Sequence, residues 1–328
     1  MKILAIGDLH CRPQYLSDFL KVKEQILLTI ERHKPDVVVL LGDTLHNHSH
    51  VHTDALNAVY GLVKALAVID GLRVYMLIGN HDYRSNSEFC SENHPFNSFK
   101  NYVNVVDKPV FFHANSDYRI ALMPYVPPGR FLEAYSYVVD SKPELIFAHQ
   151  EFKGADYGII SQHGDEWDLP VPVISGHIHD KQALKNKIMY VGTPYMTTFG
   201  ESEDKTVCML HLGRNKKDGS LSVKKEEIVL GVPKRITLRR TTDNATENIA
   251  ESSDYIRVII TDDAAKILSF KKSSDYKKLQ DMGIKVVLEA TWVDTQVSTT
   301  KETYLDILKV MTKDDEKLSV LLREIINA

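Results

Sequence analysis

Residues 37–46 read Val37-Val38-Val39-Leu40-Leu41-Gly42-Asp43-Thr44-Leu45-His46. Five apolar residues, β-branched at the start, are the pattern of a strand buried on both faces. The run breaks at Gly42, where the backbone can turn sharply, and a carboxylate follows at once. Asp43 is thereby placed at the mouth of a sheet, outside its core. The same event recurs along the chain. Ile3–Ile6 runs into Gly7-Asp8-Leu9-His10, and Val74–Ile78 runs into Gly79-Asn80-His81-Asp82. Leu145–Ala148 ends at His149, and Val171–Ile174 leads through Ser175 and Gly176 to His177-Ile178-His179. Ligands of open α/β folds gather outside the carboxyl ends of strands, so these polar side chains are expected to converge on one place.

Outward from these ends, the first third alternates strand and helix. Leu16, Phe19, Leu20, Ile26, Leu27 and Ile30 recur at helical spacing until Lys34-Pro35 stops the run. Thr53 or Asp54 is placed to cap a second helix with the stripe Leu56, Val59, Leu62, Val63 and Leu66. From Val103 to Tyr125 the period shifts towards two, and Asn115-Ser116-Asp117 marks the turn of an antiparallel pair. A helix is expected over Phe131–Val138. Short antiparallel strands follow at Ile188–Val191, Val207–Leu212 and Leu221–Val223, with a hairpin at Lys217-Asp218-Gly219.

Composition shifts near Gly231-Val232-Pro233. The pattern divides the chain into a main α/β domain over 1–235, a small α+β domain over 236–295, and a linker with two C-terminal amphipathic helices over 296–328. Those helices carry Tyr304, Leu305, Leu308 and Met311, then Leu318, Leu321, Leu322, Ile325 and Ile326.

At 328 residues and 43% hydrophobic content the chain has the make-up of a globular protein of about two domains. No apolar run is long enough to span a bilayer, and Met1-Lys2 passes straight into a strand, so a cytoplasmic protein is expected, with no membrane association. If phage-encoded, its place is the host cytoplasm. Cys11, Cys90 and Cys208 form no pair in sequence, which argues against disulfides and thiolate zinc. A formal net charge of -4 excludes nucleic-acid binding by bulk electrostatics. One local exception is Arg214–Arg240, with nine Lys/Arg against three acids, a ribbon able to track phosphates.

Asp, Asn and His without thiolate suit Mn²⁺, Fe or Zn²⁺ of a catalytic kind. Two adjacent cations need a bridging ligand, and a carboxylate with two oxygens serves. Asp43, on the central strand, is the candidate bridge. Asp8 and His10, two residues apart, emerge on one side of an extended segment and can share one ion, and the same spacing lets His177 and His179 serve neighbouring ions.

The set GDLH at 7–10, GDTLH at 42–46, GNHD at 79–82, His149 and GHIH at 176–179 resembles the calcineurin-like metallophosphoesterase superfamily over about the first 180 residues. The resemblance implies two facing mixed β-sheets flanked by helices, and two divalent metal ions, with Mn²⁺ favoured. It implies that Asp8, His10, Asp43 and His179 hold one ion and Asp43, Asn80, His149 and His177 the other. His81 would be the catalytic histidine that is not a ligand. Thr44, Leu45, His46 and Asp82 stand where the protein phosphatases of the group carry other residues.

The closer likeness is to SbcD-type DNA repair exonucleases and their phage counterparts. His46, three residues after Asp43, matches a second functional histidine of that group. Tyr190-Val191-Gly192-Thr193-Pro194 and Phe199-Gly200-Glu201 resemble its YxGSP and FxE segments. Cys11-Arg12 departs from the Leu-Gly common after DLH in the group. This likeness implies a 3′-to-5′ exonuclease with endonuclease activity on single strands, acting on duplex ends in break repair and recombination. It further implies a capping domain, and C-terminal helices that dock an SbcC-type ABC ATPase; a homodimer is compatible with it. A small-molecule or cyclic-nucleotide phosphodiesterase is the alternative enzyme, and a non-catalytic scaffold for DNA ends the alternative outside enzymes.

Overall fold

The computed structural model describes residues 1–114, 117–185, 187–247, 249, 254–291 and 318. Two units are distinguished: 1–237 with 250–257, and 238–249 with 258–328. In chain order the elements are β1 (Lys2–Ile6), α1 (Leu16–His33), β2 (Val37–Leu40), α2 (Thr53–Ala67), β3 (Arg73–Leu77), β4 (Asn104–Val106), β5 (Val110–Ala114) and β6 (Tyr118–Met123). There follow α3 (Phe131–Tyr135), β7 (Leu145–His149), β8 (Val173–Gly176), β9 (Gln182–Leu184), β10 (Ile188–Tyr190), β11 (Val207–Arg214) and β12 (Leu221–Ile228). The last are β13 (Arg235–Arg240), β14 (Tyr255–Asp263), α4 (Ala264–Phe270), α5 (Ser274–Asp281) and β15 (Lys285–Thr291).

Two mixed six-stranded sheets make an α/β fold, one ordered β12-β11-β1-β2-β3-β4 and the other β5-β6-β7-β8-β10-β9. In the first, β1 to β4 run parallel and β11 and β12 are antiparallel. In the second, β6, β7, β8 and β10 run parallel between antiparallel edges. Alternation of side chains across each strand explains the layering. Ile3, Ala5, Val37 and Val39 share one cluster with Ile120, Leu122, Leu145 and Phe147, which joins the sheets face to face. Their neighbours Leu4, Ile6, Val38 and Leu40 pack outward on Phe19, Val22 and Ile26 of α1 and Val59, Leu62 and Val63 of α2. On the far side, Met123, Ile146 and Val173 meet Phe131, Phe152 and Trp167. Strands covered on both faces are why each reads as an unbroken apolar run.

Helix α1 ends where Lys34 turns left-handed (φ 49°), just before Pro35. The N-cap of α2 is His52, not Thr53 or Asp54, since His52 holds the extended conformation (ψ 128°) and Thr53 is already helical. The alternating run from Val103 is divided between sheets: β4 pairs parallel with β3, while β5 and β6 form the antiparallel pair of the other sheet. Asn115 and Ser116 of the expected turn lie outside the described residues. Strand β10 is antiparallel only to β9 and runs parallel to β8, and α3 stops at Tyr135.

A three-stranded sheet is ordered β13-β14-β15, and the other unit holds β15, residues 258–263 of β14, 238–240 of β13, and α4 and α5. Both helices have side-chain caps, Asp263 accepting from Lys266 N and Ser273 from Tyr276 N. Val258, Ile260, Ile267, Phe270 and Leu279 are buried there. The linker and the C-terminal helices expected over 296–328 lie outside the described residues, Leu318 excepted.

Candidate metal centre

Every parallel strand that the sequence marks ends on the same side of the two sheets. Loops after β1, β2 and β3 deliver Asp8, His10, Asp43, His46, Asn80 and His81, while in the other sheet the last residue of β7 is His149 and the loop after β8 delivers His177 and His179. Ligand atoms of Asp8, His10 and Asp43 lie within 4.8 Å of one another, as do those of Asp43, His149 and His177. Asp43 is common to both groups. A third group joins His10, His46 and His81.

The loops are wound tightly to achieve this. His10, Asp43 and His177 hold positive φ angles of 42°, 46° and 83°, a region costly for residues with a side chain and concentrated at functional sites. Gly79 has no room for a Cβ, which would lie 2.2 Å from both Asp43 N and Asp43 Oδ1. Asp82 ties the loops together: its carboxylate accepts from Gly79 N (3.0 Å), Thr44 N (3.2 Å) and Leu45 N (2.9 Å). Burial and the charge of Asp43 nonetheless push the Asp82 carboxyl up to about 7. Nothing in the sequence singles Asp82 out beyond its place in GNHD.

His149 donates from Nδ1 to Leu41 O (2.8 Å), and its Nε2 faces Asn80 Oδ1 (3.0 Å) and His177 Nδ1 (3.2 Å). His10 Nε2 faces His179 Nε2 at 2.9 Å and Asp43 Oδ2 at 3.7 Å. Acceptor atoms thus crowd together in a buried pocket around two carboxylates, an arrangement that demands positive charge. The pull is visible on the side chains themselves. Burial opposes charge on His149, yet Asp43 and Asp8 raise it to about 9. Burial would raise Asp43, yet His149 and His10 hold its carboxyl far below the usual range. Converging oxygen and imidazole donors without thiolate fit divalent cations of intermediate hardness.

Towards solvent the site opens into a cavity of about 650 Å³ that reaches His46, His177 and His179. His81 donates from Nδ1 to His46 O (2.6 Å), and its own N–H donates to Asp43 Oδ1 (2.8 Å). The rings of His46 and His81 stack at 5.5 Å and 11°, and His48 stacks on His81 from 4.3 Å. Burial, Arg12 and His81 lower His46 to about 4, so it is a neutral acceptor for Arg12 Nη1 (3.1 Å). Glu201 reaches within 3.9 Å of His179 Nδ1 and Glu151 within 3.6 Å of His177 Nε2, carboxylates placed to orient those rings. Beside His10, Cys11 is buried with Sγ 3.6 Å from Ala55 O, and burial pushes its thiol up to about 12.

Four of the nine cations in the basic ribbon are paired as follows. Arg214 pairs with Glu144, Lys225 with Glu227, Lys234 with Glu203 and Arg235 with the buried Asp18. Among the described residues no helix is long and apolar enough to cross a membrane.

The model of a family described as calcineurin-like phosphoesterase matches residues 1–181. A provisionally named phosphoesterase, 078R of Invertebrate iridescent virus 3, is 35% identical over 98% of this chain and 96% of its own length. A second, 244L of Invertebrate iridescent virus 6, is 36% identical over 83% of this chain and 98% of its own. The solved structure of Plasmodium GAP50, the anchor in the inner membrane complex, overlaps with TM-score 0.43 and 12% identity, covering 70% of this chain and 89% of that one.

Proposed function

This chain belongs to the calcineurin-like phosphoesterase family of hydrolases, and from that premise we propose that it is a two-metal DNA phosphodiesterase of the SbcD type. In this reading it is Mn²⁺-dependent, removes nucleotides from duplex ends and cuts single strands. The observation that carries the reading is the placement of His46, stacked on His81 at the mouth of the open cavity with Arg12 against its outer nitrogen. That is where a polynucleotide end would meet the site.

Asp8, His10, Asp43 and His179 would hold one cation and Asp43, Asn80, His149 and His177 the other, with Asp43 as the bridge. When bound, the cations polarise phosphoryl oxygens and lower the pKa of the attacking water. His81, oriented by its Nδ1 bond to His46 O, presents Nε2 for proton donation to the leaving oxygen. Its backbone bond to Asp43 Oδ1 keeps donor and bridge in register. His46 stays neutral and would orient the phosphate from the mouth of the site.

Incubation with Mn²⁺ and end-labelled duplex, beside bis-p-nitrophenyl phosphate, tests the reading. Nucleotides released from the ends support it; cleavage of the ester alone supports a small-molecule phosphodiesterase; cleavage of neither leaves a scaffold. The phosphodiesterase is the second reading, favoured by the ion-paired state of the basic ribbon. Docking of an SbcC-type ATPase through the C-terminal segment belongs to the same proposal. Deleting Thr303 onward should abolish co-purification with that subunit while ester hydrolysis persists.

A further inference from the structure

Arg12, absent from the pattern that the SbcD likeness supplies, has unusual surroundings. Its guanidinium lies 4.3 Å over the Tyr15 ring, donates from Nη1 to His46 Nε2 (3.1 Å) and from Nη2 to Thr197 O (2.7 Å), and has a buried Nε with no acceptor. Among the described residues no carboxylate lies within ion-pair distance of it. The acids that share its cavity are committed elsewhere. Glu201 takes Thr197 N, Thr198 N and Lys205 Nζ, Glu151 takes Ser161 Oγ and faces His177, and Asp180 takes Lys205 Nζ. A half-buried guanidinium without a counter-ion is costly to keep unless an anion arrives to meet it. Its planar fork matches phosphate oxygens.

The anion is not the reacting phosphoryl group. His46 turns one ring nitrogen to Arg12 and the other to His10 Nδ1 (3.3 Å), so the His46 ring stands between the guanidinium and the donor cluster. We propose that Arg12 is a specificity-determining residue that binds a second phosphate of the substrate, next to the one being cleaved. The preferred substrates then carry two phosphates one nucleotide apart, as in a polynucleotide or a nucleoside 3′,5′-bisphosphate, rather than a lone phosphoester. This rests on the phosphodiesterase reading for the identity of the cleaved bond, and the geometry around Arg12 supplies the second group.

Calorimetric titration of the Mn²⁺-loaded protein with a nucleoside 5′-monophosphate and with the matching 3′,5′-bisphosphate tests it. The wild type should bind the bisphosphate about tenfold more tightly, the scale of one charge-assisted contact. Arg12→Met should erase the difference while monophosphate affinity and metal content stay as they were. A preference that survives Arg12→Met, or no preference in the wild type, overturns the proposal, and so does loss of metal in the variant, which would make Arg12 a support for His46 and His10. Should Arg12→Met fail to fold, Arg12→Lys decides: it keeps the charge without the fork, and an undiminished preference refutes the assignment. An Arg12-dependent preference in a protein that cuts no phosphodiester would retain the subsite and discard the reaction.

Discussion

His149 and His179 come from the same sheet and stand at the same pocket, yet they are held by different means. The His149 side chain is 0% exposed and is aimed by a backbone carbonyl, Leu41 O, at the end of β2 in the opposite sheet. The His179 side chain is 39% exposed and looks to Glu201, a side chain on a loop. The inner half of the site is therefore fixed by the core itself, while the outer half is more exposed and is set by a loop side chain. A cation held at the inner position would be retained more firmly than one at the outer position. Chelator should accordingly strip the ion of the His10–His179 side first, leaving a one-metal species detectable by elemental analysis; simultaneous loss of both would abolish the distinction.

Asp43→Ala should have the largest effect, since it removes the ligand common to both halves. Metal stoichiometry should fall to zero and hydrolysis of bis-p-nitrophenyl phosphate to background. His81→Ala should reduce turnover about 10²- to 10⁴-fold, the usual worth of a general acid, with both ions retained by elemental analysis. Gly79→Ala presses on Asp43 without removing it. A methyl group 2.2 Å from Asp43 should cost about 1–3 kcal/mol in denaturant unfolding and weaken metal binding with it. The smallest effect is expected at the outer edge, where Glu201→Gln should loosen one ion about 10- to 100-fold and leave the other untouched. Equal weakening of both ions would show that the halves are not independent.

The convergence of these side chains was legible in the sequence because much of the construction is local: an apolar run, a glycine, then a polar side chain, repeated at β1, β2 and β3. What was not legible depends on loops far apart in the chain. Asp82 looks like one more acid in a turn until Thr44 and Leu45 are seen to donate to it. Arg12 and His48 gain meaning only from His46 and His81, which they touch across the site. The sheet that β4 joins was not legible because an edge strand carries the same alternation whichever sheet it joins. The cap of α2 was misassigned because Thr53 has the favoured side chain, whereas the backbone turns at His52. The ribbon at Arg214–Arg240 looked free because Glu144 and Glu203, which neutralise two of its charges, are remote in sequence.

Cys11 stands one residue from His10, and alkylating agents and peroxide attack sulfur through the thiolate. With its proton held up to about pH 12, that sulfur is invisible to them in the native molecule. Iodoacetamide at neutral pH should leave it unmodified by mass spectrometry until the chain is denatured. The hydrolase thus carries a sulfur against its reaction centre without acquiring a redox liability there.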